Sequence, residues 1–382
     1  MKRRAFLSAA AAAAFSGPAQ SAGKRYRAAV IGHTGRGDYG HNWDTAWNGF
    51  SNIEVVAVAD PVEEGRRKAK TASGAAREYA DYRKMLRREK PDLVAIGPRW
   101  LDQRVGMVTA AAEAGAHILM EKPFARSLAD ADAMVAAVER HRVKVQVGHT
   151  ARTSRMTLRV KQMVDAGAIG TLLEIRARGK EDRRAGGEDL MVLGAHTFDL
   201  MRMFGGDPQW VFAHVTQDGR EITPADSRQP SEPIGLVAGN QVAAMFAFPG
   251  GVHGYFGSMA NDQRGGPRFG VTLCGSRGIL YMPLTSVPSA PPYLLRSPSW
   301  VSDQGGWERI PVEDESENDR HRANALMVED LLQAIAQNRE PACSARDGRW
   351  TIEMVLGVYR SQQSGGRVPF PLPDRQHPLD PA

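Results

Sequence analysis

The feature that most constrains this chain is a regular alternation, from Lys24 onward, of short apolar runs with charged or mixed segments. Tyr26–Ile31 is apolar and stops at Gly32; Ile53–Ala59 stops at Asp60-Pro61. Residues 92–96 stop at Gly97-Pro98, His117–Met120 at Glu121-Lys122-Pro123, and residues 143–147 close the set. Between them, residues 39–48, 63–72, 105–114 and Leu128–His141 carry helical spacing. Apolar runs this short, alternating with helices, predict βαβ units and a parallel sheet. Such a sheet binds ligands at the carboxyl ends of its strands.

Beyond residue 150 the pattern changes. Residues 171–178, 210–215, 241–248, 252–258, 269–274 and 279–282 read as strands in succession without intervening helices, which suits an antiparallel sheet. Residues 285–310 read as a loop, and residues 320–337 and 347–363 as helices. A chain of 382 residues is long enough for two domains. The expected organisation is a parallel α/β domain over 24–150, an α+β domain over 151–370, and an extended tail over 371–382. Two cysteines exclude a disulfide framework; Cys274 and Cys343 are either one bridge or two independent thiols.

Residues 1–22 read as an address. Lys2-Arg3-Arg4-Ala5-Phe6-Leu7 precedes an Ala-rich run, a Gly17-Pro18 break and small residues at Ala19-Gln20-Ser21-Ala22. The paired arginines suit a twin-arginine signal, with the export machinery as a partner and a periplasmic or otherwise exported destination. The formal charge of +6 invites a nucleic-acid reading, but Lys2, Arg3 and Arg4 carry half of it. Basic residues do not cluster with aromatics elsewhere, so no nucleic-acid partner is expected.

The turn after the first run is Gly32-His33-Thr34-Gly35-Arg36-Gly37-Asp38-Tyr39-Gly40. A dinucleotide turn needs glycine where the chain bends sharply and where backbone meets pyrophosphate. Gly32 and Gly37 fill the first and third positions, and Thr34 stands where the second glycine is expected. Asp60 closes the second strand, where a carboxylate accepts from both ribose hydroxyls and repels a 2′-phosphate. NAD is therefore the expected cofactor, with NADP kept open by Arg66, Arg67 and Lys68.

The Gly32–Gly37 turn, Asp60, Gly97-Pro98, Glu121-Lys122-Pro123 and Gly194-Ala195-His196-Thr197-Phe198-Asp199 together resemble the Gfo/Idh/MocA oxidoreductases. The resemblance implies a Rossmann-type parallel domain followed by a domain with an open, mainly antiparallel sheet, and frequent homo-oligomers. It implies cofactor contacts from Gly32, His33, Thr34, Gly35, Arg36, Gly37, Asp60, Pro98 and Glu121. It also implies hydride transfer between a nicotinamide cofactor and a sugar, sugar acid or polyol. Lys122, at a strand end, would hold and exchange the substrate hydroxyl proton, and His196 would remove it. Asp199, three residues on, either orients His196 or stabilises the helix. Members of the family often carry a carboxylate four residues before this histidine, and here that position is Val192. Asp189 or Glu188 are the candidates to replace it. Residues 181–184 form a polar cluster just upstream. His33, His41, Asp38 and Asp44 overlap the phosphate turn, and no metal site is expected there. Two further readings are an NAD-dependent glycoside hydrolase working through a transient redox cycle, and a non-catalytic sugar-binding or assembly protein.

Overall fold

The computed structural model describes residues 24–260, 268–284, 291–296, 306–312 and 320–381. The signal expected over residues 1–22 and parts of the loop expected over 285–310 lie outside the described residues.

The first sheet contains β1 (Tyr26–Ile31), β2 (Ile53–Ala59), β3 (Arg77–Tyr79), β4 (Leu93–Ile96), β5 (His117–Met120) and β6 (Val145–Val147). All pairings are parallel, in the order β3-β2-β1-β4-β5-β6. The order reverses at β1, so a crevice opens between the carboxyl ends of β1 and β4. Helices α1 (Glu63–Ser73), α2 (Tyr82–Glu89), α3 (Arg104–Glu113) and α4 (Leu128–His141) make the crossovers. Asp81 caps α2 by accepting from the Arg83 and Lys84 amides. β3 and α2 were not expected: β3 is a short edge strand, and α2 carries five charged residues among its eight, burying only Met85, Leu86 and Glu89.

The helix expected over residues 39–48 is replaced by turns around a single 3-10 turn at Trp43–Thr45. Asp38, Gly40 and Asn42 all have positive φ, which a helix cannot contain. The face of the first sheet left thinly covered is filled from far along the chain. In α8 (Arg320–Gln337), Met327, Val328 and Leu331 are buried against Ala28, Val30, Trp43, Leu93 and Leu119. Thus α8, which lies within the segment expected as the second domain, packs on the first sheet.

The second sheet comprises β7 (Leu172–Arg178), β8 (Trp210–Gln217), β9 (Arg220–Glu221), β10 (Gln241–Ala247), β11 (His253–Met259), β12 (Gly270–Gly275), β13 (Ile279–Pro283), β14 (Tyr293–Leu295), β15 (Glu308–Arg309) and β16 (Val368–Pro369). Its order is β15-β14-β13-β12-β7-β11-β10-β8-β16, with β9 on β8. Every pairing is antiparallel except β7 with β11. The strands do not run in unbroken succession: α6 (Gly187–Val192) and α7 (Gly194–Gly205) intervene between β7 and β8. That insertion makes the β7–β11 pairing parallel. Short strands β14 and β15 occupy described parts of the expected loop.

Helix α5 (Arg155–Asp165) leads into this sheet, and α7 and α9 (Ala345–Ser364) cover one face of it. Phe198 of α7 packs edge-on against Phe246 and tilted against Phe256, with ring centroids 5.2 and 4.9 Å apart. The tail is not free. Arg375 forms ion pairs with Asp132 of α4 at 2.7 Å and Glu353 of α9 at 3.1 Å, strapping the two domains together. Cys274 and Cys343 are separate thiols.

Candidate active site

Two clusters of residues converge at the carboxyl edge of the first sheet. One is the turn after β1. Its glycines are required by geometry rather than composition. Gly37 has φ +86°, and a Cβ there would stand 2.3 Å from the Arg99 amide nitrogen. Gly35, φ +80°, faces open space. Thr34 has a specific role: its amide and hydroxyl both donate to Asp60 Oδ2, at 3.0 and 2.7 Å. The Val62 amide donates to Asp60 Oδ1 at 2.9 Å. Asp60 also contributes to the lining of the adjoining cleft. That cleft has a volume of about 500 Å³, and Gly32, His33, Asp60, Asp81, Arg83 and Gln103 contribute to its lining. A Gly-bounded turn, a buried carboxylate at the end of β2 and an adjoining cleft fit a dinucleotide. Two of the three basic residues that kept NADP open are engaged elsewhere. Arg66 donates to the Asp60 carbonyl at 2.8 Å and pairs with Glu78, and Lys68 pairs with Glu64. Arg36 pairs with Asp102 and stacks over Trp100, 4.3 Å from the ring centre.

Pro98 and Glu121 are buried in protein contacts. Glu121 Oε2 accepts from the His41 amide, the His41 ring and the Trp43 indole at 2.9, 2.8 and 2.7 Å; Oε1 accepts from the Lys122 amide at 2.9 Å. Burial raises its pKa, but His41, Lys122 and Trp43 outweigh this and hold the carboxyl at about 2. Arg104, unanticipated from sequence, is 1% exposed. It donates to the Pro98, Glu121 and Pro123 carbonyls at 2.5, 2.5 and 3.0 Å. Burial lowers its pKa to about 10, with Glu121 opposing.

The second cluster holds the reactive candidates. Lys122 follows β5 and is 5% exposed. Its Nζ donates to the Val192 carbonyl at 3.3 Å. The position where the resemblance implies a carboxylate thus meets Lys122 through its main chain. Burial pushes the Lys122 pKa down, against the pull of Glu121 and Glu232 and with the push of Arg184 and Arg99. His196, near the start of α7, has its Nδ1 3.3 Å from Nδ1 of His149. His149 closely follows β6, at the sheet edge that also presents Asp60 and Lys122; the sequence reading did not single it out, and that shared position was the signal available. Burial carries the His196 pKa well below its ordinary value, aided by His149, Lys122 and His41.

Asp199 is not brought to His196. Arg152 holds it, with Nε donating to Oδ2 at 2.7 Å and Nη2 to its carbonyl at 3.0 Å. Of the two roles left open for Asp199, orienting His196 is therefore not the one the structure displays. Asp189 is likewise committed: it accepts from the Ser258 hydroxyl at 2.6 Å and the Glu181 and Lys180 amides at 3.1 and 3.3 Å. Burial raises its pKa, and these donors oppose the rise. Glu188 binds the Ser231 hydroxyl and amide. In the upstream cluster, Asp182 forms a bidentate pair with Arg184, at 3.0 and 2.6 Å, and Arg184 reaches Glu232 at 3.2 Å.

A doubly wound dinucleotide domain joined to an open sheet, with a lysine and a histidine at the junction, defines an NAD-dependent oxidoreductase. The family comparisons agree. The oxidoreductase family model with an NAD-binding Rossmann fold, GFO_IDH_MocA, matches residues 26–149, and the GFO/IDH/MocA C-terminal domain matches residues 157–281. D-apiose dehydrogenase of Paraburkholderia graminis is 30% identical over 372 residues, covering 90% of each chain. The chain belongs to the Gfo/Idh/MocA family. Levoglucosan dehydrogenase, solved with NADH and levoglucosan, superposes with a TM-score of 0.76 at 19% identity, over 91% of this chain and all of the other. An Agrobacterium radiobacter oxidoreductase solved with NAD+, L-tartaric acid and magnesium gives 0.70 at 19% identity, over 91% of this chain and 98% of that one. These two likenesses concern the fold.

The placement of Asp60 generates a prediction. Asp60→Asn keeps the shape but removes the charge. NADH affinity is expected to fall about tenfold or more, since hydrogen bonds to charged groups contribute about 1.5–3 kcal/mol. NADPH binding should weaken less or improve. Fluorescence titration with both cofactors checks this, and an unchanged NADH/NADPH ratio would contradict the role.

Proposed function

We propose that the protein oxidises a sugar, sugar acid or polyol at a carbinol carbon, with NAD as the resident cofactor. The observation that carries the reading is the junction itself: Lys122 and His196, both with depressed proton affinity, stand beside each other's field at the edge of the dinucleotide domain. The cofactor would be held by the turn 32–37 and Asp60, and when bound supplies a hydride acceptor or donor. Lys122, fixed by the Val192 carbonyl, orients the substrate hydroxyl and polarises the carbonyl that forms. His196, neutral at ordinary pH, takes the hydroxyl proton. The substrate class rests on the relatives, whose names specify D-apiose and levoglucosan.

The amino-terminal address supports an exported enzyme with a tightly held cofactor, because free NAD is scarce outside the cytoplasm. The second sheet supports a homo-oligomer. Phe212, Met245, Tyr255 and Arg176 lie in one cross-strand row, and Phe212 and Tyr255 are 46% and 39% exposed. An apolar row on a solvent-facing sheet suits a second copy of the chain.

Denaturing the purified protein should release near-stoichiometric NAD(H), and a sugar and polyol panel should identify net oxidation. Lys122→Ala and His196→Asn should each lower kcat by roughly 10²–10⁴-fold. Full activity in both variants would refute the assignment. Replacing Arg3 and Arg4 with lysine should retain the protein inside the cell, read by fractionation. Tyr255→Glu should lower the mass found by light scattering; a wild-type monomer would refute the oligomer.

A further inference from the structure

We infer that His149 is the proton partner of His196, so that the histidine pair, rather than His196 alone, takes up the substrate's hydroxyl proton. The inference rests on the oxidoreductase reading above. Its basis is geometric. The two Nδ1 atoms lie 3.3 Å apart, with the rings nearly perpendicular at 88° and centroids 4.9 Å apart. Two neutral imidazoles so placed share a single proton between their Nδ1 atoms. Whichever ring carries it sets the state of the other, because the tautomer of a histidine follows the bond its partner nitrogen makes. Asp199, the carboxylate nearest in sequence, is held by Arg152.

His149 is suited to the role by what surrounds it. It is 0% exposed, and its Nε2 has no hydrogen-bond partner among the described residues. Its tautomer is therefore set by the Nδ1 contact with His196. Its position is rigid: its amide donates to the Val147 carbonyl at 2.7 Å. The preceding Gly148 lies where a Cβ would be 2.9 Å from the Trp43 ring. The charged and titratable groups facing the pair are Lys122 and Glu121 from the end of β5, His41 from the loop after β1, Arg152 from the turn after β6, and Asp199 from α7. Burial, the largest influence, together with Lys122 and Arg152, pushes the His149 pKa down to about 4, while Asp199 and Glu121 pull it up. Both rings are thus neutral before the reaction.

The proton path balances. His196 begins with its proton on Nδ1 and a lone pair on Nε2. The substrate O–H bond breaks as an N–H bond forms at Nε2. The Nδ1–H bond of His196 then breaks as an N–H bond forms at Nδ1 of His149. His196 ends neutral in its other tautomer, and the positive charge rests on His149, within the field of Asp199 and Glu121. The reverse path protonates the substrate oxygen in reduction. This transfer moves protons only; no oxidation state changes.

The test uses the NAD-loaded enzyme labelled with 15N-histidine. In the wild type, the His149 and His196 ring signals should titrate together, as coupled sites do. His149→Asn preserves a polar side chain of similar reach but cannot carry the proton. It should abolish the coupling, change the His196 titration, lower kcat for oxidation roughly ten- to hundred-fold, and alter the pH profile while KM stays within about twofold. Imidazole added to His149→Ala should restore part of the rate. NADH binding, read by fluorescence, confirms that both variants fold. A His196 titration in His149→Asn identical to the wild type overturns the pairing, whatever the activity. Intact coupling without turnover of any sugar or polyol instead overturns the oxidoreductase reading, leaving the pair established but its substrate unassigned.

Discussion

Everything at the active edge depends on one buried carboxylate. Glu121 ties the loop after β1 to the end of β5 through His41, Trp43 and the Lys122 amide. A carboxylate removed from water is costly unless its acceptor positions are filled, and here four donors fill them. Gly40 is required for this arrangement, since a Cβ there would stand 2.3 Å from Glu121 Oε2. On the opposite side Arg104 gathers the Pro98, Glu121 and Pro123 carbonyls. The two charges are not directly bonded to each other; each organises main chain. Together they hold the ends of β4 and β5 and the dinucleotide turn in one rigid unit, which fixes where the Lys122 side chain begins.

The second domain completes the site from the other direction. Helices α6 and α7 meet at Val192–Gly194, where the chain turns. A Cβ on Gly194 would be 3.2 Å from the Phe256 ring, so α7 sits close against the second sheet. That closeness sets His196 beside His149. Arg152 fastens the same helix through Asp199 and also reaches Asp347 of α9 at 3.8 Å. The helix bearing His196 is thus anchored to the segment that follows β6, so the distance between the two histidines is fixed by structure common to both domains.

Much of this was legible in the sequence, for physical reasons. β1, β2, β5 and α4 have the bounds their patterns imply, because apolar runs buried on both faces of a parallel sheet end sharply at Gly, Asp or Glu. The turn after β1 was read as leading into a helix because its glycine spacing resembles one that does. Three positive-φ residues and a carboxylate 80 positions away override that local signal. The packing of α8 on the first sheet was hidden for a related reason: helical periodicity reveals an apolar face but not which sheet receives it. Lys122 and His196 were visible as chemistry at the ends of recognisable elements. His149 was not, because Val147-Gly148 reads only as the close of a strand, and its partner lies 47 residues further on.

The contrast between the acidic residues and their neighbours explains why the site tolerates Val192. Glu121, Asp189 and Asp199 are each 0% exposed and each occupied by donors from the protein itself. They fix geometry. Among the described residues, Lys122, by contrast, has one main-chain acceptor, and His149 keeps a ring nitrogen without a partner. A buried polar group fully satisfied by its neighbours gains little from a substrate. A buried group left under-satisfied gains a hydrogen bond when a hydroxyl arrives, and its displaced proton affinity makes it responsive to the reaction. By that criterion, the lysine and the two histidines are the groups to which we assign proton handling in the proposed reaction, while the carboxylates hold them in place. On that proposal no carboxylate is needed at Val192: the Val192 carbonyl accepts from Lys122, and His149 stands against His196.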